Sequence, residues 1–154
     1  MQGLAGYARR SQPSFGAGRT SGANGRVTLL YEPAGKLAWR GALWRDFAPL
    51  ESTVVSYTLN KGVSLGATWN ATGKIRVEAD VVRERRNYNP RAGLNLSGGL
   101  DDTLRSASIK ASWAVKRKLT LSAALLHQSR SGSPVLGIGN FKANTVAVNA
   151  SLQF

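Results

Sequence analysis

Apolar and polar residues alternate along most of this chain with a period of two, which is the pattern of a β-strand with two different faces. No segment shows a helical period. The alternation predicts eight strands, with bounds near 2–12, 23–33, 36–48, 53–71, 74–89, 103–116, 118–131 and 142–154. We therefore predict an all-β fold, with residues 1–154 forming a single domain.

The fourth predicted strand carries the clearest alternation. From Val55 to Trp69 every odd position except Lys61 is apolar or aromatic, while Ser, Thr, Asn and Gly occupy the even positions. Strands of soluble proteins usually have about 5–6 residues. A tilted strand that crosses a membrane needs about 9–11 residues inside the hydrocarbon. The length of this alternating run therefore favours a transmembrane strand.

The connections between predicted strands alternate in length. Tight turns fall at 32–35, 70–73 and 115–118, and mostly longer connections fall near 12–22, 49–52, 90–102 and 132–141. Short turns on one side and long loops on the other are typical of outer-membrane barrels. We predict an antiparallel up-and-down transmembrane β-barrel of about eight strands, or the C-terminal eight strands of a larger barrel. The tight turns and the C-terminus would lie on the periplasmic side.

Aromatic residues on the apolar phase indicate that this face points outward, into lipid. Five of them lie within about three residues of a tight turn or of the C-terminus, as in the interfacial ring of a membrane barrel. They are Tyr31, Trp39, Trp69, Trp113 and Phe154. Candidates for the opposite ring are Tyr7, Phe47 and Tyr57.

The polar phase carries charges of both signs, which would make a poor dry core. A lumen suits them better, because opposite charges can pair there or contact water. The predicted lumen residues are Arg40, Arg76, Glu78, Asp80, Glu84 and Lys110.

Basic residues interrupt the apolar phase near the long-loop ends of the strands, in a chain of net charge +13. They are Arg9, Arg45, Lys61, Arg83, Arg85 and Arg105. There they would contact the phosphates of lipopolysaccharide, or an anionic polysaccharide. The alternative is a solvated basic extension above the membrane. Nucleic-acid binding is not favoured, because the basic run at 83–86 alternates within a strand.

The composition offers little for metal or cofactor chemistry. Cysteine is absent, histidine occurs once and carboxylates are few, so we predict neither a metal site nor a cofactor. Residues 1–4 lack the charged start and apolar core of an export signal, so we expect a mature form or a fragment. Phe154 ends an alternating strand, as in the C-terminal signature that barrel-assembly machinery recognises.

Several segments of the chain together carry a resemblance to one family. They include Tyr31–Lys36, Trp44–Asp46, Gly62–Trp69, Thr72–Ile75, Arg83–Tyr88, Asp102–Leu104, Ser129–Ser131 and Ala143–Val146. In their order along the chain they resemble the EpsL-type outer-membrane proteins of exopolysaccharide biosynthesis. That family accompanies exosortase/PEP-CTERM and capsule-like polysaccharide gene clusters. The resemblance implies a non-enzymatic barrel that assists polysaccharide assembly or passage, in a chain longer than this one.

Two other functions stay open at this stage. His127 and Ser129 share the lipid-facing side of one predicted strand and resemble the His–Ser pair of lipid A deacylases. Arg130 follows Ser129 where such enzymes have Asn, and no acidic residue follows on the last strand. The third hypothesis is a soluble ligand-binding β-barrel, which would direct its apolar face inward.

Overall fold

In a computed structural model, the chain forms one antiparallel sheet whose eight strands follow each other in sequence order. The structure describes residues 2–10, 20–49, 55–90 and 100–153. The strands are β1 (Gln2–Arg10), β2 (Thr20–Ala34), β3 (Leu37–Pro49), β4 (Val55–Asn70), β5 (Ile75–Pro90), β6 (Asp101–Lys116), β7 (Leu119–Ser131) and β8 (Phe141–Leu152). The predicted all-β, up-and-down arrangement is confirmed, and each predicted bound that falls on a described residue lies within three residues of the observed one. The predicted bounds at 12, 53 and 154 lie outside the described residues.

The sheet is not closed in the part of the chain that the structure describes. β1 pairs only with β2, and β8 pairs only with β7. The predicted barrel is therefore seen as an open sheet, with a row of unpaired backbone groups along each outer strand. A barrel requires that these two edges pair with each other or with strands outside this chain.

The short connections lie at one end of the sheet, which we call the turn end. Gly35 and Lys36 join β2 to β3, and Arg117 and Lys118 join β6 to β7. Between β4 and β5, the hydroxyl of Thr72 accepts hydrogen bonds from the backbone N–H groups two and three residues further on. The opposite end is the loop end. Tight turns are thus confirmed near all three predicted positions, although the first begins at Gly35, because β2 extends through Ala34.

The connection from β7 to β8, at the loop end, folds back on itself. A 3₁₀ turn, Pro134–Leu136, ends at Gly137, whose φ of 68° is a conformation that other residues rarely adopt. The side chain of Asn140 accepts a hydrogen bond of 2.7 Å from the N–H of Gly132. A Cβ on Gly132 would lie 2.3 Å from the carbonyl oxygen of Ile138, so this position also requires glycine.

The two faces of the sheet differ in burial. The apolar face, which carries Leu65 and Trp69, is largely exposed, whereas the polar face, which carries Thr58 and Asp102, is the more buried one. Along β6 the apolar positions 105–113 are exposed, and most of the polar positions between them are partly buried. On β8 both faces are exposed, so the difference in burial is confined to the strands before it.

A glycine allows two charges to meet across the middle of the polar face. In the cross-strand register, Gly66 lies between Arg40 on β3 and Asp80 on β5. Nη2 of Arg40 donates to Oδ1 of Asp80 over 3.0 Å, directly above this glycine. A Cβ on Gly66 would lie 2.4 Å from that carboxylate oxygen. The pair therefore spans β4 only because the residue beneath it has no side chain.

A second charged pair joins β6 and β7 at the loop end of the polar face. Asp102 is only 1% exposed, and Arg130 donates three hydrogen bonds to its two carboxylate oxygens. This forked geometry is the strongest arrangement of an arginine and a carboxylate. Because the carboxylate is buried, its stabilisation depends on the guanidinium rather than on water.

Replacing Asp102 tests how much this pair stabilises the sheet. We expect Asp102→Asn to lower the free energy of unfolding by about 1–3 kcal/mol, because the guanidinium loses its charged acceptor in a buried place. Urea titration of the protein in lipid vesicles, followed by tryptophan fluorescence, measures the change. The matched control is Asp46→Asn, since Asp46 is more exposed and lies 3.9 Å from Arg26. Equal shifts in the two variants would contradict the assignment.

Candidate functional site

The register of the sheet arranges the outward side chains in rows that run across the strands. One row on the apolar face crosses seven strands, and all of its residues are apolar or aromatic. Its members are Tyr31, Trp39, Ala67, Ala79, Ile109, Leu125 and Val146. The next row toward the turn end is Leu37, Trp69, Val77, Ala111, Ala123 and Val148. Together the two rows form a continuous apolar band that crosses β3 to β8.

Aromatic residues line the turn end of this band. Tyr31, Trp39, Trp69 and Trp113 are all exposed, with Trp69 at 52%. Phe154 lies outside the described residues. Large exposed aromatic rings that form the margin of an apolar surface are typical of a membrane interface.

The aromatic residues also shift in register from strand to strand. Tyr31 on β2 and Trp39 on β3 share a row, Trp69 on β4 lies one row nearer the turns, and Trp113 on β6 one row nearer again. The shift is four residues over four strands. With strands about 4.8 Å apart and a rise of about 3.3 Å per residue, rings at one level imply strands tilted by about 35°. This tilt is typical of β-barrels.

The prediction that Phe47 is one of a set of exposed aromatic residues at the loop end is wrong. Its side chain is only 6% exposed and packs against Tyr57, with ring centroids 4.9 Å apart. Phe47 shares the apolar phase of β3, but its ring is not exposed on that face. The side chain of Tyr7 lies outside the described part of the chain.

Basic side chains occupy two neighbouring rows at the loop end of the apolar face. We call these residues the basic rows; they are Arg45, Lys61 and Arg85 in one row, and Arg83, Arg105 and Lys142 in the next. All six are exposed. Arg9, the remaining predicted contact, lies on β1, and its side chain is outside the described residues. Lys142 was missed in the sequence because it lies at the edge of the predicted loop, although it shares the phase of Val146 and Val148 on β8.

The predicted lumen residues all lie on the polar face, and most are in ion pairs. Besides Arg40 with Asp80, the distance from Arg76 to Glu78 is 2.7 Å, and that from Arg86 to Glu84 is 2.7 Å. Lys110 lies opposite Glu78 in the register but forms no ion pair with a described residue. Each exposed pair contributes about 0–1 kcal/mol, so these pairs chiefly neutralise the charges on this face.

His127 and Ser129 lie on the apolar face as predicted, but they are not joined. Nδ1 of His127 lies 2.6 Å from Oδ1 of Asn144, beside an open depression of about 450 Å³ lined partly by Leu125 and Val146. Ser129 lies between Arg105 and Lys142, and no hydrogen bond connects it to the histidine. A nucleophile needs its base within about 2.6–3.2 Å, so the structure shows no assembled catalytic pair.

Comparisons with known proteins give no further assignment. No protein family, curated protein or solved structure matches the chain. Within the described ranges, no helix is both long and apolar enough to span a membrane. Nor does this part of the chain group three or more His, Asp or Glu side chains where a metal ion could bind.

The hydrolase hypothesis is tested by the lipid A of cells that express this chain. We expect the acylation of lipid A to be the same for the wild type, His127→Ala and Ser129→Ala, because histidine and serine do not meet. Mass spectrometry of extracted lipid A measures acylation, and Ser131→Ala is the matched control on the same strand and face. Loss of an acyl chain with the wild type and Ser131→Ala, but not with Ser129→Ala, would establish the hydrolase instead.

Proposed function

We propose that this chain is a membrane-spanning part of a bacterial outer-membrane β-barrel that supports exopolysaccharide biosynthesis or export without catalysing a reaction. The observation that carries the proposal is the exposed apolar face between the aromatic residues and the basic rows. Soluble monomers rarely expose apolar patches of more than a few hundred Å². Hydrocarbon is the environment that stabilises such a face.

The dimensions of this face fit a membrane. Lys61 and Trp69, at its two margins on β4, are eight residues apart, as are Arg105 and Trp113 on β6. Eight residues extend about 26 Å along a strand, or about 21 Å along the membrane normal at a tilt of 35°. The apolar band of outer-membrane barrels is about 25 Å tall. A soluble ligand-binding barrel would instead turn its apolar face inward, whereas here the polar face is the more buried one.

The polar face supplies the lumen. Its mixed charges pair with each other, as in Arg40 with Asp80, and an aqueous or side-chain-filled interior accommodates the remainder. An eight-stranded barrel has an interior just wide enough for side chains. If these strands close alone, the role is binding or scaffolding, and if they join further strands, a conduit becomes feasible.

The link to polysaccharide rests on the resemblance to EpsL-type proteins, carried by segments such as Tyr31–Lys36 and Gly62–Trp69. The positive charge at the loop end is complementary to an anionic polysaccharide or to lipopolysaccharide, which we propose as partners. The barrel-assembly machinery is a further proposed partner. This machinery recognises a strand with regular alternation, and Val146, Val148 and Leu152 give β8 that alternation.

Arginine substitutions at two depths test the membrane orientation. In lipid vesicles, we expect Leu125→Arg to lower the free energy of unfolding by about 2–4 kcal/mol, because Leu125 lies in the apolar band. Ser131→Arg, on the same strand and face but at the loop end, should cost only about 0–1 kcal/mol. Urea titration in vesicles measures both. In water, Leu125 is already 52% exposed, so a soluble fold would tolerate both changes equally.

Deletion of the gene tests the link to polysaccharide. We expect the deletion strain to secrete less exopolysaccharide, and plasmid-borne wild-type protein to restore the amount. The measurement is hexose content in the dialysed culture supernatant, with the outer-membrane fraction checked by immunoblot. Because the proposed role needs no catalytic residue, His127→Ala/Ser129→Ala should restore secretion as well. Unchanged secretion in the deletion strain would refute the role in exopolysaccharide production.

A further inference from the structure

We propose that the basic rows bind the phosphate groups of a phosphorylated glycolipid of the outer leaflet, of the lipid A type. This inference rests on the proposed membrane orientation and states which class of lipid would bind beside the apolar face. It adds two residues that would contact this lipid: Ser129, which the register places beside Arg105, and Lys142, which lies beside Ser129.

The charges on the two faces are strongly segregated. The six cations of the basic rows share the apolar face with Asp101, which lies 3.0 Å from Arg85. The other five form no ion pair with a described residue. The acidic residues Asp46, Glu78, Asp80, Glu84 and Asp102 lie on the polar face instead. The loop end of the apolar face therefore has a positive charge that the described residues do not balance.

Direct neighbours within the basic rows repel each other. Lys61 is the cross-strand partner of both Arg45 and Arg85. In the next row Arg83 is the partner of Arg105. Directly opposite side chains have Cβ atoms about 4.5–5.5 Å apart, and like charges at that distance destabilise a sheet. An anion held between them converts this repulsion into attraction.

A phosphate group has the chemistry to fill this position. It offers three oxygens and up to two negative charges, and arginine binds such oxygens through a forked pair of donors. Between Arg105 and Lys142, the hydroxyl of Ser129 supplies a neutral donor. Adjacent rows thus present several guanidinium and ammonium groups to one headgroup.

The level of the basic rows favours a lipid over a soluble anion. The cations shift toward the turn end by one row between Arg45 on β3 and Lys142 on β8. This is the same direction as the shift of the aromatic residues, although it is smaller, and all six cations lie on the loop-end side of the apolar band. Directly below the cations the face is apolar, with Val63 and Leu65 on β4. A ligand whose phosphates lie at the loop end and whose acyl chains extend toward the turn end matches both the basic rows and the apolar residues beside them.

The test uses the full chain, folded in neutral detergent, and bisphosphorylated lipid A as the probe. Native mass spectrometry measures the bound fraction against the same lipid with both phosphates removed. We expect removal of the phosphates to weaken binding by at least about tenfold, because the charge-assisted hydrogen bonds are lost. Inorganic phosphate should not compete at millimolar concentration.

Two triple variants locate the site. Lys61→Gln/Arg83→Gln/Arg105→Gln removes three cations that form no ion pair with a described residue, and binding should fall by at least about tenfold. Lys116→Gln/Arg117→Gln/Lys118→Gln removes the same charge at the turn end, and binding should change by less than about twofold. Near-ultraviolet circular dichroism confirms that each variant is folded.

Several results would overturn the site. Equal losses in both triple variants would mean a response to net charge alone, and equal binding of the dephosphorylated lipid would mean that only acyl chains are recognised. Competition by inorganic phosphate would point to a soluble anion. If Leu125→Arg behaves as expected in vesicles but any of these results is obtained, the membrane orientation stands and only the phosphate site fails.

Discussion

The structure depends on one constraint, which is that the apolar face of a single sheet must be covered. In the described part of the chain no second sheet or helix packs on this face, and leucine, valine and tryptophan side chains along it are about half exposed. A water-soluble fold needs a second layer to bury such a surface. Hydrocarbon removes that need, and it also requires that every backbone N–H and C=O be paired within the sheet.

The placement of charge follows from the same constraint. Acidic residues occur almost entirely on the polar face, where arginines neutralise them across or along the strands. The pair Arg40 and Asp80 shows how closely this face is organised, since it spans a whole strand above Gly66. The cations of the basic rows lie near the loop end of the apolar face, and in the proposed membrane orientation the cost of an arginine in lipid falls there to about 0–1 kcal/mol. That orientation would account for both distributions, because it keeps charge away from the hydrocarbon.

The sequence predicted the strands and their faces because both depend on a local period of two. The turns near Gly35 and Thr72 were also predictable from local sequence, because Pro, Gly and Asn favour tight turns. Features that depend on register were not: the bridge over Gly66 joins residues forty positions apart, and Lys142 gains its neighbours only through pairing of β7 with β8. Phe47 keeps the apolar phase of its strand, but its burial, including the contact with Tyr57, depends on tertiary packing that alternation does not reveal. Closure was expected from the class of fold, but one chain's alternation does not determine which strands meet at the edges.

The register nevertheless limits what this sheet can do once it is closed. Strand number, stagger and tilt are linked in any barrel. A shift of about one residue per strand, summed over eight strands, gives a stagger of about eight, at which an eight-stranded barrel tilts its strands by about 36° and fills its interior with side chains. Here the interior would hold Arg40, Asp80 and Glu84, which occupy the space that a polymer would need. In the proposed role, a barrel closed from these eight strands would therefore act through its outer surface and loops, where its unbalanced positive charge lies, and only additional strands would open a path for polysaccharide.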